Sequence, residues 1–432
     1  MKIFNFCKPD DAMNESKKYL IAKGSFLFEK LKPFIPKNCE KLFEQILLAK
    51  NKVFFDHPRS WHFIYTTQKL ISDLLNDNDP SPESISHLFV DSIKKDRVLE
   101  LHLFNAIEQA LLYSHLNNCK TRFTLNFQMP TQTYLPGIGN ILINDRTKII
   151  SDISYEPNQG LLINNKNFDE FIDSTDHVIK NDNYNIKFND HKIHVPVHDP
   201  ILNNPYFANG PIIKNLFEIE EWINERLIKS LELVKELFPK EYLNILNLST
   251  HFFFIHNSSE RFSSASSEKI PGLIYLPCIN NVNHIAECII HENLHQLLFR
   301  LEKLINFYNK GQNIESYWSP WRDDPRPLRM IMHGSFVFAG VSEFWMRMIK
   351  NKNSNLDSSY QFYLRLKQVK DGLKVLHNHA DYSPAGEDLH NKVDQSLDGF
   401  NFDLIPNEIK KEVNKALKRK RKKIDNERYL GF

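Results

Sequence analysis

Apolar residues recur every three or four positions through much of the first and last thirds of the chain, which is the period of a helix with one buried face. The segment SHLFVDSIKKDRVLELHLFNAIEQALLYSHL, residues 86–116, is an example. The pattern predicts helices across most of residues 14–116, over 216–238 and over most of 282–380. One loop interrupts the last of these, near residues 309–328.

Between residues 120 and 200 the pattern changes to short apolar runs bounded by Asn, Asp, Gly and Pro, which are typical of strands and hairpins. These runs are RFTLNFQM, NILIND, KIISDISY, GLLIN, NIKFN and HKIHVPV. STHFFFIH at 249–256 and GLIYLPC at 272–278 have the same character.

We therefore predict an α+β fold, with a predominantly helical body and a small β-rich middle section. The predicted regions are a helical N-terminal region (1–118), a β-rich middle region (119–210) and a mostly helical region (211–432) with a basic C-terminal tail. The chain has no internal repeat and no clear linker, so we expect one compact body.

Composition excludes several classes of function. A net charge of +2 over 432 residues gives no field that attracts nucleic acid or an acidic surface, and no apolar stretch has the length of a membrane span. We predict neither a nucleic-acid nor a membrane partner. The basic run KRKRKK (418–423) is interpreted as a solvated helix end.

Cysteine usage and the N-terminal sequence bear on the compartment. The five cysteines are scattered and lack CxxC spacing, as expected of reduced thiols. The first residues turn acidic before an apolar core develops, so we expect no secretory signal. Together these features predict a cytoplasmic protein.

The segment IIHENLHQLLF, residues 289–299, places His-Glu-x-x-His inside an apolar run. Positions four apart share one face of a helix, so His291 and His295 can offer two imidazole nitrogens to one cation. Glu292 is offset from that face, where it can act as a base on a metal-bound water without being a ligand. Buried polar groups without partners are costly, and a polar stripe runs along this otherwise apolar helix. The stripe consists of His284, Glu287, Cys288, His291 and His295. We predict a zincin-like metal-binding helix.

The third ligand separates the possible classes of metal site. A metzincin would have Gly at position 298 and His at 301, and both are Leu here, which excludes that class. Glu315 follows His295 at a spacing that resembles thermolysin-type peptidases. A glycine shortly before Glu315 and a proline shortly after it disfavour the second helix that such a site requires.

His333 and Glu343 lie further on, in a strongly apolar predicted helix. Ten residues separate them, about 15 Å along a helix axis, so a straight helix cannot offer both to one ion. We predict His333 as the third ligand, with Glu343 and Glu315 as alternatives.

The segment SYWSPWRDDPRPLRMIMHG, residues 316–334, is dense in Arg, Trp and Pro. It brings Arg322, Arg326 and Arg329 near the predicted metal-binding helix. A guanidinium engages a carboxylate through two parallel hydrogen bonds, so this cluster suits a dicarboxylic acid, for which a peptidase has no general need. The alternative is a surface loop salt-bridged by Asp323 and Asp324.

HENLH (291–295) and SPWRDDPRPLRMIMHGSFVF (319–338) resemble the 2-oxoglutarate-dependent HExxH-type peptide β-hydroxylases, a family of HEXXH-motif peptide-modification proteins from bacterial natural-product clusters. SSASSEKIPGLIYL (263–276) is a weaker part of the resemblance, which covers about residues 250–350.

The resemblance implies an Fe(II) enzyme that uses O2 and 2-oxoglutarate to hydroxylate a β-carbon in a ribosomally made precursor peptide. A leader-peptide-binding protein is a further candidate partner. His291 and His295 match the metal-binding pair and His333 the third ligand, and chemistry favours Arg322 and Arg326 for binding the co-substrate. Three protein ligands leave three positions on an octahedral ion, although three histidines lack the carboxylate of the usual facial triad.

Under this reading Glu292 orients a bound water or a ligand histidine. Two alternatives remain open. One is a zinc metallopeptidase with Glu292 as general base, and the other is a catalytically silent peptide-binding protein with a structural metal.

Overall fold

The computed structural model describes residues 9–32, 58–76, short segments between 123 and 195, and then 221–255, 264–309, 317–351 and 356–429. Helix predominates in these ranges and the strands are short, which confirms the helix-dominated α+β fold. Several sequence predictions lie outside the described residues: the helix at 86–116, the alternative ligand Glu315, and three of the five cysteines expected to be reduced thiols, Cys7, Cys39 and Cys119.

The chain divides into two compact units, where the sequence led us to expect one body. The helical unit comprises residues 1–14, 221–248 and 279–432, and the strand-bearing unit comprises 15–220 and 249–278. The predicted boundary at residue 211 therefore lies ten residues before the start of the second segment of the helical unit, at Glu221.

Two helices in the N-terminal part are described, α1 (Pro9–Leu31) and α2 (Pro58–Leu75). All predicted strand runs contain a strand. The strands are β1 (Phe123–Leu125), β2 (Gln132–Leu135), β3 (Gly139–Leu142), β4 (Ile153–Glu156), β5 (Gly160–Ile163), β6 (Lys166–Asn167), β7 (Val178–Lys180), β8 (Asn185–Phe188), β9 (His191–His194), β10 (His251–Ile255), β11 (Ala265–Ser266) and β12 (Leu273–Pro277).

These strands form three sheets. Two are antiparallel, with orders β1-β4-β5-β6 and β2-β3-β7, and the third is mixed, with order β11-β12-β10-β9-β8. In the mixed sheet β10 pairs in parallel with β12 and with β9. All residues of β10 and β12 are buried, as expected where a strand is covered on both faces.

The helical unit contains seven α-helices within its described residues. They are α3 (Glu221–Leu237), α4 (Tyr242–Leu248), α5 (Val282–Leu304), α6 (Leu328–Lys350), α7 (Leu356–His379), α8 (Pro384–Ser396) and α9 (Asn407–Tyr429). Helix α5 packs against α3, α4 and α6, and α6 packs also against α7 and α8. Helices α5 and α6 therefore form the core of this unit.

Local sequence sets where α5 and α6 begin. Asn281 caps α5, because its side-chain oxygen accepts a hydrogen bond from the backbone N–H of His284. Pro327 precedes α6 in an extended conformation and has no N–H that the helix would leave unsatisfied. The described part of the predicted loop before α6, residues 317–327, contains no helix.

Most of the basic run whose exposure is described is solvated, as predicted, because Lys418, Arg419 and Arg421 are exposed and Lys420 alone of these four is half-buried. Lys420 on α9 lies 3.6 Å from Asp323, with 23% of its side chain exposed. Arg421 lies over the Trp318 ring, 5.2 Å from its centroid. Two side chains of the basic run thus contact the loop that precedes α6, because α9 packs along α7.

No helix in the described ranges combines the length and the apolar content needed to cross a bilayer.

Candidate metal centre

Helices α5 and α6 are antiparallel. Along α5 the contacting residues rise in number, while their partners on α6 fall in number. The contacting pairs are His291 with Phe338, His295 with His333, and Glu302 with Arg329. This packing brings residues from HENLH together with residues from the segment that ends in MHG.

The structure places all three predicted metal-binding histidines in one cluster. The ring centroids of His291 and His295 are 4.9 Å apart and those of His295 and His333 are 5.5 Å apart. The Nδ1 atoms of His295 and His333 are 3.2 Å apart, a hydrogen-bonding distance. His333 is fully buried, whereas His291 and His295 are half-buried.

Two imidazoles one helical turn apart, both partly open to solvent, suit a transition metal such as iron or zinc. Among the residues with described placement, however, no group of three His, Cys, Asp or Glu side chains is arranged to hold one ion. The three rings touch, but they do not converge on a common point. Coordination by all three would require at least one of them to rotate.

Both partly exposed imidazoles are held in the neutral form that a metal ligand needs. Burial lowers the pKa of His291, against the opposing effects of Glu292 and Glu287. Burial also lowers the pKa of His295 well below its usual value, and the neighbouring imidazoles of His291 and His333 add to this effect.

A carboxylate and a guanidinium lie behind His333. Its Nε2 is 3.0 Å from Oε1 of Glu302, and Glu302 accepts two hydrogen bonds from Arg329. Burial tends to raise the pKa of Glu302, but the contacts with His333 and Arg329 outweigh it and lower the pKa to about 2. Glu302 is therefore a carboxylate at neutral pH.

Glu292, the central residue of the motif, is buried, with 2% of its side chain exposed. Its Oε1 lies 3.8 Å from Nε2 of His291, too far for a hydrogen bond but close enough for an electrostatic contact. This position, beside one histidine of the pair, is compatible with either of the roles considered for Glu292.

The N-terminal end of the polar stripe, at His284 and Glu287, contacts Arg365, a residue that no sequence motif indicated. Glu287 accepts one hydrogen bond, from Nε of Arg365 on α7, and contacts Nδ1 of His284 at 3.2 Å. Burial would raise the pKa of Glu287, but Arg365 and His284 outweigh it and lower the pKa. The ion pair between Glu287 and Arg365 thus provides a partner for one of the buried polar groups of the stripe.

Aromatic rings flank the imidazoles. Phe299 stacks on His295 at 5.7 Å between centroids, and Phe338 meets His291 edge to face at 4.8 Å. Trp321 stacks on Phe338, and the Arg365 guanidinium lies 4.9 Å from the Phe338 centroid. This wall of aromatic side chains reduces access of water to the histidines.

The arginines predicted for the co-substrate pair with a neighbouring acid. Arg322, 63% exposed, places its Nε 3.5 Å from Asp324, and Nη2 of Arg326 lies 2.7 Å from the same carboxylate. Arg326 also exchanges backbone hydrogen bonds with Tyr317 across the loop. The alternative of a salt-bridged loop thus describes the observed contacts, and the co-substrate role of these arginines stays a prediction.

The alternative third ligand on α6 is engaged in another interaction. Glu343 pairs with Arg347 at 2.6 Å, and Arg347 in turn donates to the carbonyl oxygen of Leu237. On β9, His194 stacks on His251 with 4.7 Å between ring centroids.

Four residues of the centre were missed by sequence reasoning: Glu302, Phe299, Phe338 and Arg365. Phe299 and Glu302 lie on the same face as His295, four and seven residues after it, and this spacing could have been recognised in the sequence. Arg365 belongs to α7 and lies in no motif, so its place beside Glu287 follows from tertiary packing alone.

Compared with models of known protein families the chain matches none, and comparison with curated proteins likewise gives no match.

Proposed function

We propose that this protein is an Fe(II)- and 2-oxoglutarate-dependent hydroxylase that acts on a side-chain β-carbon of a ribosomally synthesised precursor peptide. The observation that supports it most is the cluster of His291, His295 and His333 beside an aromatic wall. The similarity of HENLH and the segment 319–338 to the peptide β-hydroxylases gives the reaction class.

In this reaction one atom of O2 enters the peptide as a hydroxyl group and the other enters succinate. A C–H bond of the peptide becomes C–OH, while 2-oxoglutarate loses CO2. Iron, when bound, supplies the redox chemistry that activates O2. His291 and His295 would hold the ion, and His333 is either their partner in coordination or a residue that supports them.

The remaining residues prepare the site. The half-buried rings of Phe299 and Phe338 keep water away from the two imidazoles. A keto-diacid needs a cation, which Arg322 and Arg326 would supply. Arg365 adds positive charge near His291, although Glu287 engages it in the structure.

The test uses the full chain, purified without oxygen and supplied with Fe(II), 2-oxoglutarate, O2 and each short precursor peptide that a search of the neighbouring genes identifies. We expect succinate to form in step with a peptide product that has gained one oxygen atom. His295→Ala should abolish both, whereas His377→Ala, an exposed histidine on α7, should leave both unchanged.

A cleaved peptide with no succinate would instead favour the zinc metallopeptidase. A peptide that is bound but unchanged, in the presence of all components, would favour the silent binding protein. Either result overturns the proposed hydroxylase.

A further inference from the structure

A cationic face lies on the loop before α6 and on helices α7 and α9. The three lysines that α7 contributes follow one another at intervals of three and four residues, so they share one side of that helix. Helix α9 packs along α7, and its Lys420 and Arg421 contact the loop at Asp323 and Trp318. The cationic face consists of Arg322, Lys367, Lys370, Lys374, Lys420 and Arg421.

On α7, one carboxylate of this face lies among several of the cations. Burial raises the pKa of Asp371, whereas the nearby positive charges of Lys367, Arg421 and Lys374 oppose the rise. One negative charge cannot neutralise three positive charges, so a positive surplus remains around Asp371.

The loop adds to this surplus. Asp323 lies 3.6 Å from Lys420, and Asp324 lies 3.5 Å from Nε of Arg322. Asp324 also pairs with Arg326 at 2.7 Å. In these contacts of the described loop, two carboxylates thus face three cations.

The cationic face adjoins the histidine pair. Trp321, the residue before Arg322, stacks on Phe338, and Phe338 meets His291 edge to face. On α7, the Arg365 guanidinium lies 4.9 Å from the centroid of the same Phe338 ring. Both the loop and α7 therefore extend from the aromatic wall of the centre to the cationic face.

The length of the face matches a short stretch of extended peptide. Lys374 follows Arg365 by nine residues, about 14 Å along α7. An extended peptide covers that distance with about four residues, at roughly 3.3 Å each. A peptide residue at the histidine pair can therefore have neighbours over the cationic face.

We propose that the cationic face binds acidic side chains of the substrate peptide, within about five residues of the residue presented to His291 and His295. The inference rests on the proposed function in taking the substrate peptide as the occupant. It adds to that function a substrate class, peptides with carboxylates close to the modified residue. Complementary charge of this kind selects among partners and speeds their encounter, while each exposed ion pair adds little affinity.

The arrangement of charge favours an acidic peptide over a nucleic acid. A nucleic-acid backbone carries closely spaced phosphates, which Asp323, Asp324 and Asp371 would repel because they lie among the cations. An acidic peptide has separated carboxylates and can place neutral side chains opposite these three residues. The net charge of +2 also gives the chain no overall field for a polyanion.

The first test measures binding of a probe to the full chain by fluorescence anisotropy. The probe is a fluorescein-labelled peptide of ten residues in which Gly and Glu alternate, and its neutral counterpart has Gln in place of Glu. We expect the Glu peptide to bind about 10-fold more tightly, with a difference that shrinks as salt is added. Equal affinities would overturn the proposal.

The second test removes two exposed cations of the face, by combining Lys370→Gln with Lys374→Gln. We expect the Glu peptide to bind about 3-fold more weakly. The matched control combines Lys229→Gln with Lys350→Gln, which removes two exposed lysines from α3 and from the end of α6. Exposed substitutions of this kind leave the fold intact, and equal losses in the two double variants would overturn the proposal.

Other anionic partners are tested under the same conditions. The probes are a single-stranded RNA of ten nucleotides and vesicles of phosphatidylcholine and phosphatidylserine. We expect both to bind more weakly than the Glu peptide. If either binds more tightly, the face has a different partner and the proposal is wrong.

Failure of the cationic face and failure of the proposed function give different results. If the Glu peptide binds as expected, yet no succinate forms with any precursor peptide, the face stands and the hydroxylase does not. If succinate forms but the Lys370→Gln and Lys374→Gln double variant keeps the wild-type KM for the precursor, the hydroxylase stands and the face does not. The same conclusion follows if the hydroxylated residue has no acidic neighbour within five positions.

Discussion

Arg329 donates two hydrogen bonds to Glu302, from Nε to Oε1 at 3.0 Å and from Nη2 to Oε2 at 2.7 Å. The two residues lie on neighbouring antiparallel helices, and Glu302 in turn faces the buried imidazole of His333. Two parallel hydrogen bonds from one guanidinium both stabilise the negative charge of the carboxylate and fix its orientation. A lysine ammonium group would stabilise the charge without fixing the orientation.

The first prediction follows from these two hydrogen bonds. Arg329→Lys keeps the positive charge but loses one of the two bonds, and we expect a loss of about 1 kcal/mol in the free energy of unfolding. Arg322→Lys is the control, because Arg322 is 63% exposed and should change the stability by less than about 0.5 kcal/mol. Urea unfolding followed by circular dichroism measures both, and equal losses would contradict the argument.

The second prediction concerns Trp321, a loop residue whose ring packs against Gly334 of α6. A Cβ atom added at Gly334 would lie 2.6 Å from two carbons of the Trp321 ring, which is itself stacked on Phe338. The ring cannot yield without leaving its stack, so Gly334→Ala should destabilise the fold by about 1–3 kcal/mol, even though alanine favours a helix.

Gly399→Ala is the control for this substitution, because nothing lies within 4 Å of a Cβ added there. The free energy of unfolding and the tryptophan emission spectrum report on stability and on the position of the ring. If both variants keep the wild-type values, the position of the Trp321 ring does not require a glycine at residue 334.

Much of the helical unit could be predicted from the sequence. The apolar period predicted helix over most of residues 282–380 with one loop near 309–328, which agrees with α5 and with the start of α6 but does not separate α6 from α7. The meeting of His291 and His295 followed from their spacing of four on one helix. His333 was expected near them from its place in the segment that resembles the family.

The contacts that give these residues different roles could not be predicted. Whether His333 stands beside His295 or behind it depends on the crossing and rotation of α5 against α6, which no local pattern records. The same is true of Arg365, since an arginine on an amphipathic helix is usually a solvated residue. Arg322 and Arg326 show the converse case, because the cluster evident in the sequence pairs with Asp324 in the structure.

The third prediction concerns pH. The pKa of Glu287 is lower in the folded protein than its ordinary value of 4.5, so its ionised form stabilises the fold above that pH. This stabilisation is lost as the pH falls below 4.5 and through the folded-state pKa. Glu287→Gln should therefore be less stable than the wild type at neutral pH, by about 2 kcal/mol, with Arg365 left without its counter-ion.

The measurement is the unfolding temperature of the wild type and the variants, from pH 7 to below pH 4.5. We expect the gap between wild type and Glu287→Gln to narrow on acidification, while Glu232→Gln, an exposed glutamate on α3, follows the wild type throughout. A constant gap at every pH would show that Glu287 contributes through packing and not through its charge.

The last prediction separates the two roles of Glu292. In a peptidase this residue is the general base, and its loss would reduce the rate by about 10²- to 10⁴-fold. In a hydroxylase it only supports its neighbour His291, so Glu292→Gln, which keeps the shape of a side chain that is 2% exposed, should still yield succinate at a lower rate. Iron content, succinate and hydroxylated peptide are measured together, with Glu225→Gln on α3 as an exposed control. If Glu292→Gln binds iron normally but forms neither product, the carboxylate takes part in the chemistry itself and the supporting role is wrong.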